Sequence, residues 1–139
     1  VLPHVFEISM GIDRSLYTIL EHSLKNDEEH ERMVLSLKPY LSPVHVGILS
    51  LVKKDGLKEK TDEIFLNIKR KFDAFLDHSG AIGRRYRRLD EIGAPFAITV
   101  DHQTLEDNTV TIRKRDSMEQ SRVDISKIDS ILLESVGFP

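Results

Sequence analysis

The most concentrated chemistry in this chain is Gly83-Arg84-Arg85-Tyr86-Arg87-Arg88, four arginines in five positions around one aromatic ring. On a helix Arg84 and Arg88 share a flank, and Tyr86 points the other way. A guanidinium is a planar fork that donates two parallel hydrogen bonds, which suits phosphate oxygens. The same arginines can instead pair with Asp77, Asp90, Glu91 and Asp101 in surface ion networks, and both readings stand at this point. A second group lies at Thr109 to Asp116. Strand alternation turns Val110 and Ile112 toward a core and sets Thr111, Arg113 and Arg115 on the outer face, the two arginines about 7 Å apart. Such a row can hold the bases or phosphates of an extended nucleic-acid strand, with Asp116 accepting from a base amino group or merely orienting Arg115. An edge strand guarded by charge against aggregation fits the pattern equally well.

The N-terminal stretch carries a third group. Glu7 and Ser9 share one side of an expected strand, and Gly11-Ile12-Asp13-Arg14 turns directly into a helix. A carboxylate, a hydroxyl and an arginine then meet at a strand–helix corner, as an amino-acid or nucleotide pocket requires. Other groups are weaker. Ser79-Gly80-Ala81-Ile82-Gly83 opens a helix but lacks the Lys-Ser/Thr of a P-loop. The six histidines show no metal-ligand spacing, so no metal site is expected. Asp73 and Asp77 lack a third partner for acid–base work.

The elements that must position these groups follow from periodicity. The chain has 139 residues, 40% hydrophobic and 31% charged, enough for one compact domain with a short extra element. Twenty Lys and Arg against 23 Asp and Glu leave a net charge of −3, which argues against coating nucleic acid by bulk charge but not against a local basic patch. The absence of cysteine removes disulfides, thiolate metal sites and thiol nucleophiles. No apolar run approaches the roughly 20 residues of a membrane span, and no signal pattern is present, so a cytoplasmic chain without membrane contact is expected. Val1 in place of Met fits a processed start or a piece of a longer protein.

Val1 to Ser9 is expected to be extended, and Ile12, Leu16, Ile19, Leu20 and Leu24 recur at helical spacing. Lys25 to Arg32 reads as a solvated connector and a unit boundary, dividing the chain into 1–32 and 33–139. Val44 to Val52 is apolar at both parities, the mark of a strand buried on both sides. Asp55-Gly56 turns the chain into a helix over about 57–71, lined by Ile64, Phe65, Ile68 and Phe72, and Ala74 to Leu76 is a short strand. Ser79 is expected to cap a helix with the inner stripe Ile82, Tyr86 and Leu89, stopped at Gly93 and Pro95. Phe96, Ile98 and Val100 form a strand, joined by a polar loop over Gln103 to Asn108 to another at Val110 and Ile112. Ile128, Ile131, Leu132 and Val136 mark a last helix. The layout is α/β, with a mostly parallel sheet and an antiparallel partner.

Pro3-His4-Val5-Phe6-Glu7-Ile8-Ser9-Met10-Gly11-Ile12-Asp13-Arg14 resembles the third signature motif of class II aminoacyl-tRNA synthetases, with the Glu-x-Ser spacing of the glycyl-tRNA synthetases. Ser79 to Tyr86, Asp90-Glu91-Ile92-Gly93 and Arg113 to Met118 resemble the anticodon-binding domain of the archaeal and eukaryotic type of that family. The resemblance covers nearly the whole chain outside Lys25 to Arg32. It implies a three-layer anticodon-binding-domain fold, a mixed five-stranded sheet with three helices, preceded by a strand–helix remnant of a catalytic domain. It further implies a homodimeric parent enzyme that joins glycine to tRNA through an adenylate, using ATP and magnesium. Arg14 would hold the ATP γ-phosphate, and Glu7 and Ser9 would face glycine. Arg113, Arg115 and Asp116, and with them Arg84 and Arg88, would meet the anticodon loop of tRNA(Gly).

Departures from that pattern are Ile8 and Ser50, which stand where the family often has proline. The first and second catalytic motifs are absent, so this chain by itself is expected to be inactive, to hold neither ATP nor magnesium, and to be a fragment that needs the rest of the catalytic domain as partner. DNA is not an expected partner. The competing function is a non-catalytic accessory protein that reuses the fold to bind another protein; a small stand-alone enzyme lacks a complete catalytic constellation.

Overall fold

The computed structural model describes residues 2–52 and 56–137. Residues 2–10 have no regular structure, and α1 (Ile12–Ser23) leads into an antiparallel hairpin of β1 (Leu24–Asp27) and β2 (Arg32–Leu35). After a 3-10 turn at Pro39–Leu41 come β3 (Val46–Ser50), α2 (Leu57–Lys69), β4 (Ala74–Asp77), α3 (Ile82–Ile92), β5 (Phe96–Val100), α4 (His102–Asp107), β6 (Thr109–Lys114), β7 (Gln120–Asp124) and α5 (Ile128–Val136). The five-stranded sheet runs β4-β3-β5-β6-β7. Its β3 is parallel to β4 and β5, and β5, β6 and β7 alternate in direction.

Two cores form because β3 and β5 are buried on both faces. On one face Val46, Ile48, Phe96, Ile98, Val100, Val110 and Ile112 meet Leu57, Ile64 and Ile68 of α2 and Ile128, Leu132 and Val136 of α5. On the other, Leu49 and Ala97 meet Leu89 and Ala94, with Val44, Ile82, Tyr86 and Ile92 at the margin. Gly47 lets α3 come this close, since a Cβ there would lie 2.2 Å from Leu89 Cδ1. At Gly93 the helix ends in the left-handed region (φ 84°), and a Cβ would meet the Leu35 carbonyl oxygen at 2.9 Å. The expected three-layer, mixed five-stranded sheet is therefore present.

Several expectations are corrected. No strand forms over residues 2–9: a strand needs a neighbour for its backbone groups, none lies beside this stretch among the described residues, and Val5, Phe6 and Ile8 are exposed. Helix α1 forms where expected but buries none of its side chains. The connector at Lys25 to Arg32 is a hairpin, and the division at 32/33 falls inside β2, whose Arg32 and Val34 are buried. Ser79 does not cap α3. Ala81 holds that position, and the Ser79 N–H and hydroxyl donate to Asp77 Oδ1 instead. The loop at Gln103 to Asn108 is the short α4, opened by a capping box between Asp101 and Thr104. Strand β7 adds a polar edge that alternation did not reveal. Of the Asp55-Gly56 turn, Asp55 lies outside the described residues, and Gly56 is left-handed (φ 76°).

Gly47→Ala is expected to destabilise the fold by about 1–3 kcal/mol through overpacking against Leu89. Combined with Leu89→Ala, which alone costs about 2–5 kcal/mol, its effect should shrink, because the clashing methyls are gone. Urea unfolding of the two single variants and the double variant measures both; additive losses would show that the helix does not rest on Gly47.

Candidate nucleic-acid interface

Asp90, in the last turn of α3, is 1% exposed and receives three charge-assisted hydrogen bonds. Arg113 donates from Nη1 (2.9 Å) and Nη2 (3.1 Å), and Arg32 from Nη1 (2.9 Å). The same Arg32 nitrogen donates to the Arg115 carbonyl (3.0 Å), while its Nε donates to Asp27 (2.7 Å). Arg115 is 2% exposed and uses all five N–H groups of its guanidinium. They go to Asp116 Oδ1 and Oδ2 and to the carbonyls of Leu35, Leu37 and Gly93. The Arg113 guanidinium also lies 5.0 Å from the centre of the Tyr86 ring, whose hydroxyl is bonded to Thr99 Oγ1.

This corrects the outer-face reading of β6. Alternation places Arg113 and Arg115 opposite Val110 and Ile112, as expected, but that face is closed by α3 and the β1–β2 hairpin. Both guanidiniums are buried in ion pairs and carbonyl contacts, with no donor of Arg115 left for RNA. Asp116 is exposed, and its carboxylate orients Arg115 and accepts from Ser36 (3.4 Å).

The free basic groups lie elsewhere. Helix α2 joins β3 to β4 on one face of the sheet and α3 joins β4 to β5 on the other, so the chain diverges at the carboxyl ends of the adjacent strands β3 and β4. Open α/β sheets bind ligands at such a switch point. Here Arg85, 4% exposed, donates from Nη1 to the carbonyls of Ser50 (2.7 Å) and Asp77 (3.3 Å), tying the ends of β3 and β4 together. Ser50 Oγ lies 3.1 Å from His78 Nδ1, and His78 Nε2 lies 3.2 Å from Asp62 Oδ1. Ser50 is fully buried, so this chain of three offers no accessible nucleophile. Arg88 donates to Asp77 Oδ2 and the Ser79 carbonyl while half of its side chain stays exposed. Arg84 and Arg87, on the outward side of the first two turns of α3, are exposed, and their guanidiniums make no hydrogen bond or ion pair among the described residues.

Two carboxylates frame this edge. Burial alone would raise the Asp77 carboxyl, but the Ser79 N–H and hydroxyl and the Arg88 guanidinium outweigh it and hold the group below 3.8. At the end of β5, Arg122 grips both oxygens of Asp101 and the Thr104 N–H adds a further bond. They bring Asp101 to about 2 against the opposing effect of burial.

Glu7, Ser9 and Arg14 are exposed on the irregular segment and the first turn of α1, and the shallow depression there is lined by residues 9–14 alone. The structure does not bring them to the sheet edge. Among the described residues no three His, Asp or Glu are placed to hold a metal ion, and no helix is long and apolar enough to cross a membrane. Arg32, Arg85, Asp90 and His78 were not singled out from sequence as site residues. For Arg85 and Asp90 a signal existed: helical phase sets them beside Ile82 and Leu89, charges on an inner stripe.

The site is thus the carboxyl edge of an open α/β sheet, with the exposed arginines of one helix along it. The chain belongs to the anticodon binding domain family, whose profile matches residues 45–135. It is 52% identical over 135 residues to a glycine–tRNA ligase of Methanothrix thermoacetophila, covering 95% of this chain and 23% of that protein. The corresponding ligases of Archaeoglobus fulgidus and Methanocaldococcus jannaschii are 49% and 50% identical over 96% of the chain. The chain thus spans about a quarter of the length of these curated relatives. The RNA binding domain of a threonyl-tRNA synthetase from Cryptosporidium parvum shares the fold (TM-score 0.66, 23% identity, 75% of this chain and 26% of that one).

Asp90→Asn removes the charge that compensates Arg32 and Arg113, and is expected to cost about 3–5 kcal/mol in urea unfolding; an unchanged midpoint would show that the cluster does not hold the fold. A depressed carboxylate stabilises above its unfolded value and loses that contribution as pH falls through its folded one. Asp101 therefore contributes fully above about pH 5 and progressively less toward pH 2. Wild type and Asp101→Asn should differ in urea midpoint at pH 6 and converge near pH 2, and a gap that persists at pH 2 would contradict the assignment.

Proposed function

We propose that this chain recognises the anticodon loop of tRNA(Gly) as part of a glycine–tRNA ligase, an enzyme that attaches glycine to tRNA using ATP. The observation that carries the reading is identity near 50% to such ligases over 92–98% of the chain. The free guanidiniums of Arg84 and Arg87, with the half-exposed Arg88, supply the phosphate-binding rim. Arg113 and Arg115 support that rim from inside by holding the end of α3 through Asp90 and the Gly93 carbonyl, and the exposed Asp116 orients Arg115.

Glu7, Ser9 and Arg14 belong, on this reading, to the catalytic domain of the longer enzyme, the first two toward glycine and the third toward ATP. In this chain they form no enclosed pocket for a nucleotide or for magnesium, so no step of the reaction is assigned to them here. The bare apolar face of α1, with Ile12, Leu16 and Leu20 exposed, would be covered by the remainder of that domain. A homodimeric, cytoplasmic enzyme completes the proposal.

Fluorescence anisotropy with a labelled glycine-anticodon stem-loop tests this. Arg84→Ala with Arg87→Ala should weaken binding for all loop sequences alike and lower the salt slope by about 1.4, at about 0.7 per single-strand phosphate contact. Arg14→Ala should leave binding unchanged. Binding that ignores Arg84 and Arg87 would place the RNA on another face.

A further inference from the structure

Within the interface proposed above, on which this inference rests, one side chain has a geometry that phosphate binding does not use. His78 follows β4 directly and sits at the carboxyl edge of the sheet. Its Nδ1 is 3.1 Å from the Ser50 hydroxyl at the end of β3, and its Nε2 is 3.2 Å from Asp62 on α2. Both ring nitrogens are thus engaged by protein groups from two different elements. The side chain nevertheless keeps 24% of its surface exposed. With both nitrogens occupied, the ring's remaining capacity to bind a base is stacking through its π-face. A nucleobase has little to gain from hydrogen bonding to such a ring, and much from stacking on it.

The surroundings favour that use. The Ser50 and Asp62 contacts fix the plane of the ring before any ligand arrives, so little side-chain freedom is lost on binding. Ser50 is fully buried and Arg85 locks its carbonyl, so the support beneath the ring is rigid. Arg88, at the same carboxyl edge, is anchored to Asp77 and the Ser79 carbonyl, which holds a cation at this edge for the backbone of a bound strand. The only function that the Asp62–His78–Ser50 series suggests on its face, activation of a nucleophile, is closed by the burial of Ser50.

We propose that His78 is a stacking platform for one unpaired base of the anticodon loop, its ring held edge-on by Ser50 and Asp62. The platform is sequence-tolerant, since every base has a π-face. It orders the loop at the carboxyl edge rather than choosing among bases.

The test compares His78→Ala and His78→Phe in anisotropy titrations with the labelled stem-loop, and follows the His78 ring protons of the wild-type chain by NMR as RNA is added. His78→Ala should weaken binding about 10-fold, whereas His78→Phe, which keeps the flat ring and loses the hydrogen bonds, should stay within about 3-fold. The ring protons of the wild type should move upfield by the ring current of the stacked base, a readout that does not depend on how either variant folds. Phe as damaging as Ala, or ring protons that do not shift while binding still depends on Arg84 and Arg87, would overturn the stacking role and leave the interface in place. Binding that is indifferent to Arg84 and Arg87, or no binding at low salt, would overturn the interface itself and the inference with it.

Discussion

One buried carboxylate organises this molecule. Asp90 is held in the last turn of α3 and shared between Arg32 of the hairpin and Arg113 of β6. A lone carboxylate at that depth would be strongly disfavoured, and so would either arginine. Together they satisfy one another only if α3, the hairpin and β6 stand in one arrangement. Arg115 extends the same constraint, bonding the carbonyls of Leu35, Leu37 and Gly93, the chain on either side of the joint. The N-terminal hairpin, with none of its strands in the main sheet, is thereby fastened to the sheet's second face.

That arrangement sorts the arginines by role. Arg32, Arg113, Arg115 and Arg85 are within a tenth of full burial and bind carboxylates or carbonyls. Arg84 and Arg87 remain in water on the same helix that Asp90 and Leu89 anchor. Five of these six positions fall in two short basic runs that look alike in sequence. The difference between buried and exposed arginines arises from which side of α3 each residue faces, and from whether a covering element lies over the strand.

The sequence was most readable where one element's burial is decided locally. The both-sided apolar run at Val44 to Val52 declared a central strand, the alternation of Phe96, Ile98 and Val100 declared a second strand whose burial on both faces it did not show, and Ile64, Ile68, Ile128 and Leu132 declared the helices over them. It was least readable where partners are remote. Arg32 reaches Asp90 across 58 residues and Arg115 reaches Leu35 across 80, so a charged stretch looked like a solvated connector and a buried arginine like an exposed one. Strand β7 is recruited by pairing with β6 rather than by its own pattern, for Gln-Ser-Arg-Val-Asp has only one apolar residue. The face of Arg113 was read correctly from alternation; what covers that face was not written nearby. The rim arginines at Arg84 and Arg88 were visible as a cluster, whereas His78 gained its meaning only once Ser50 and Asp62 were placed beside it.

The division between supporting and contacting arginines is tested most directly by hydrogen–deuterium exchange of this chain with and without the glycine-anticodon stem-loop. Bound RNA should protect amides at 78–88 and at 100–104, the carboxyl edge of the sheet and the first turns of α3, and leave 113–118 as protected as in the free chain. New protection confined to 113–122, with 78–88 unaffected, would mean that the RNA meets β6 and β7 after all and that the Asp90 cluster opens to release its arginines.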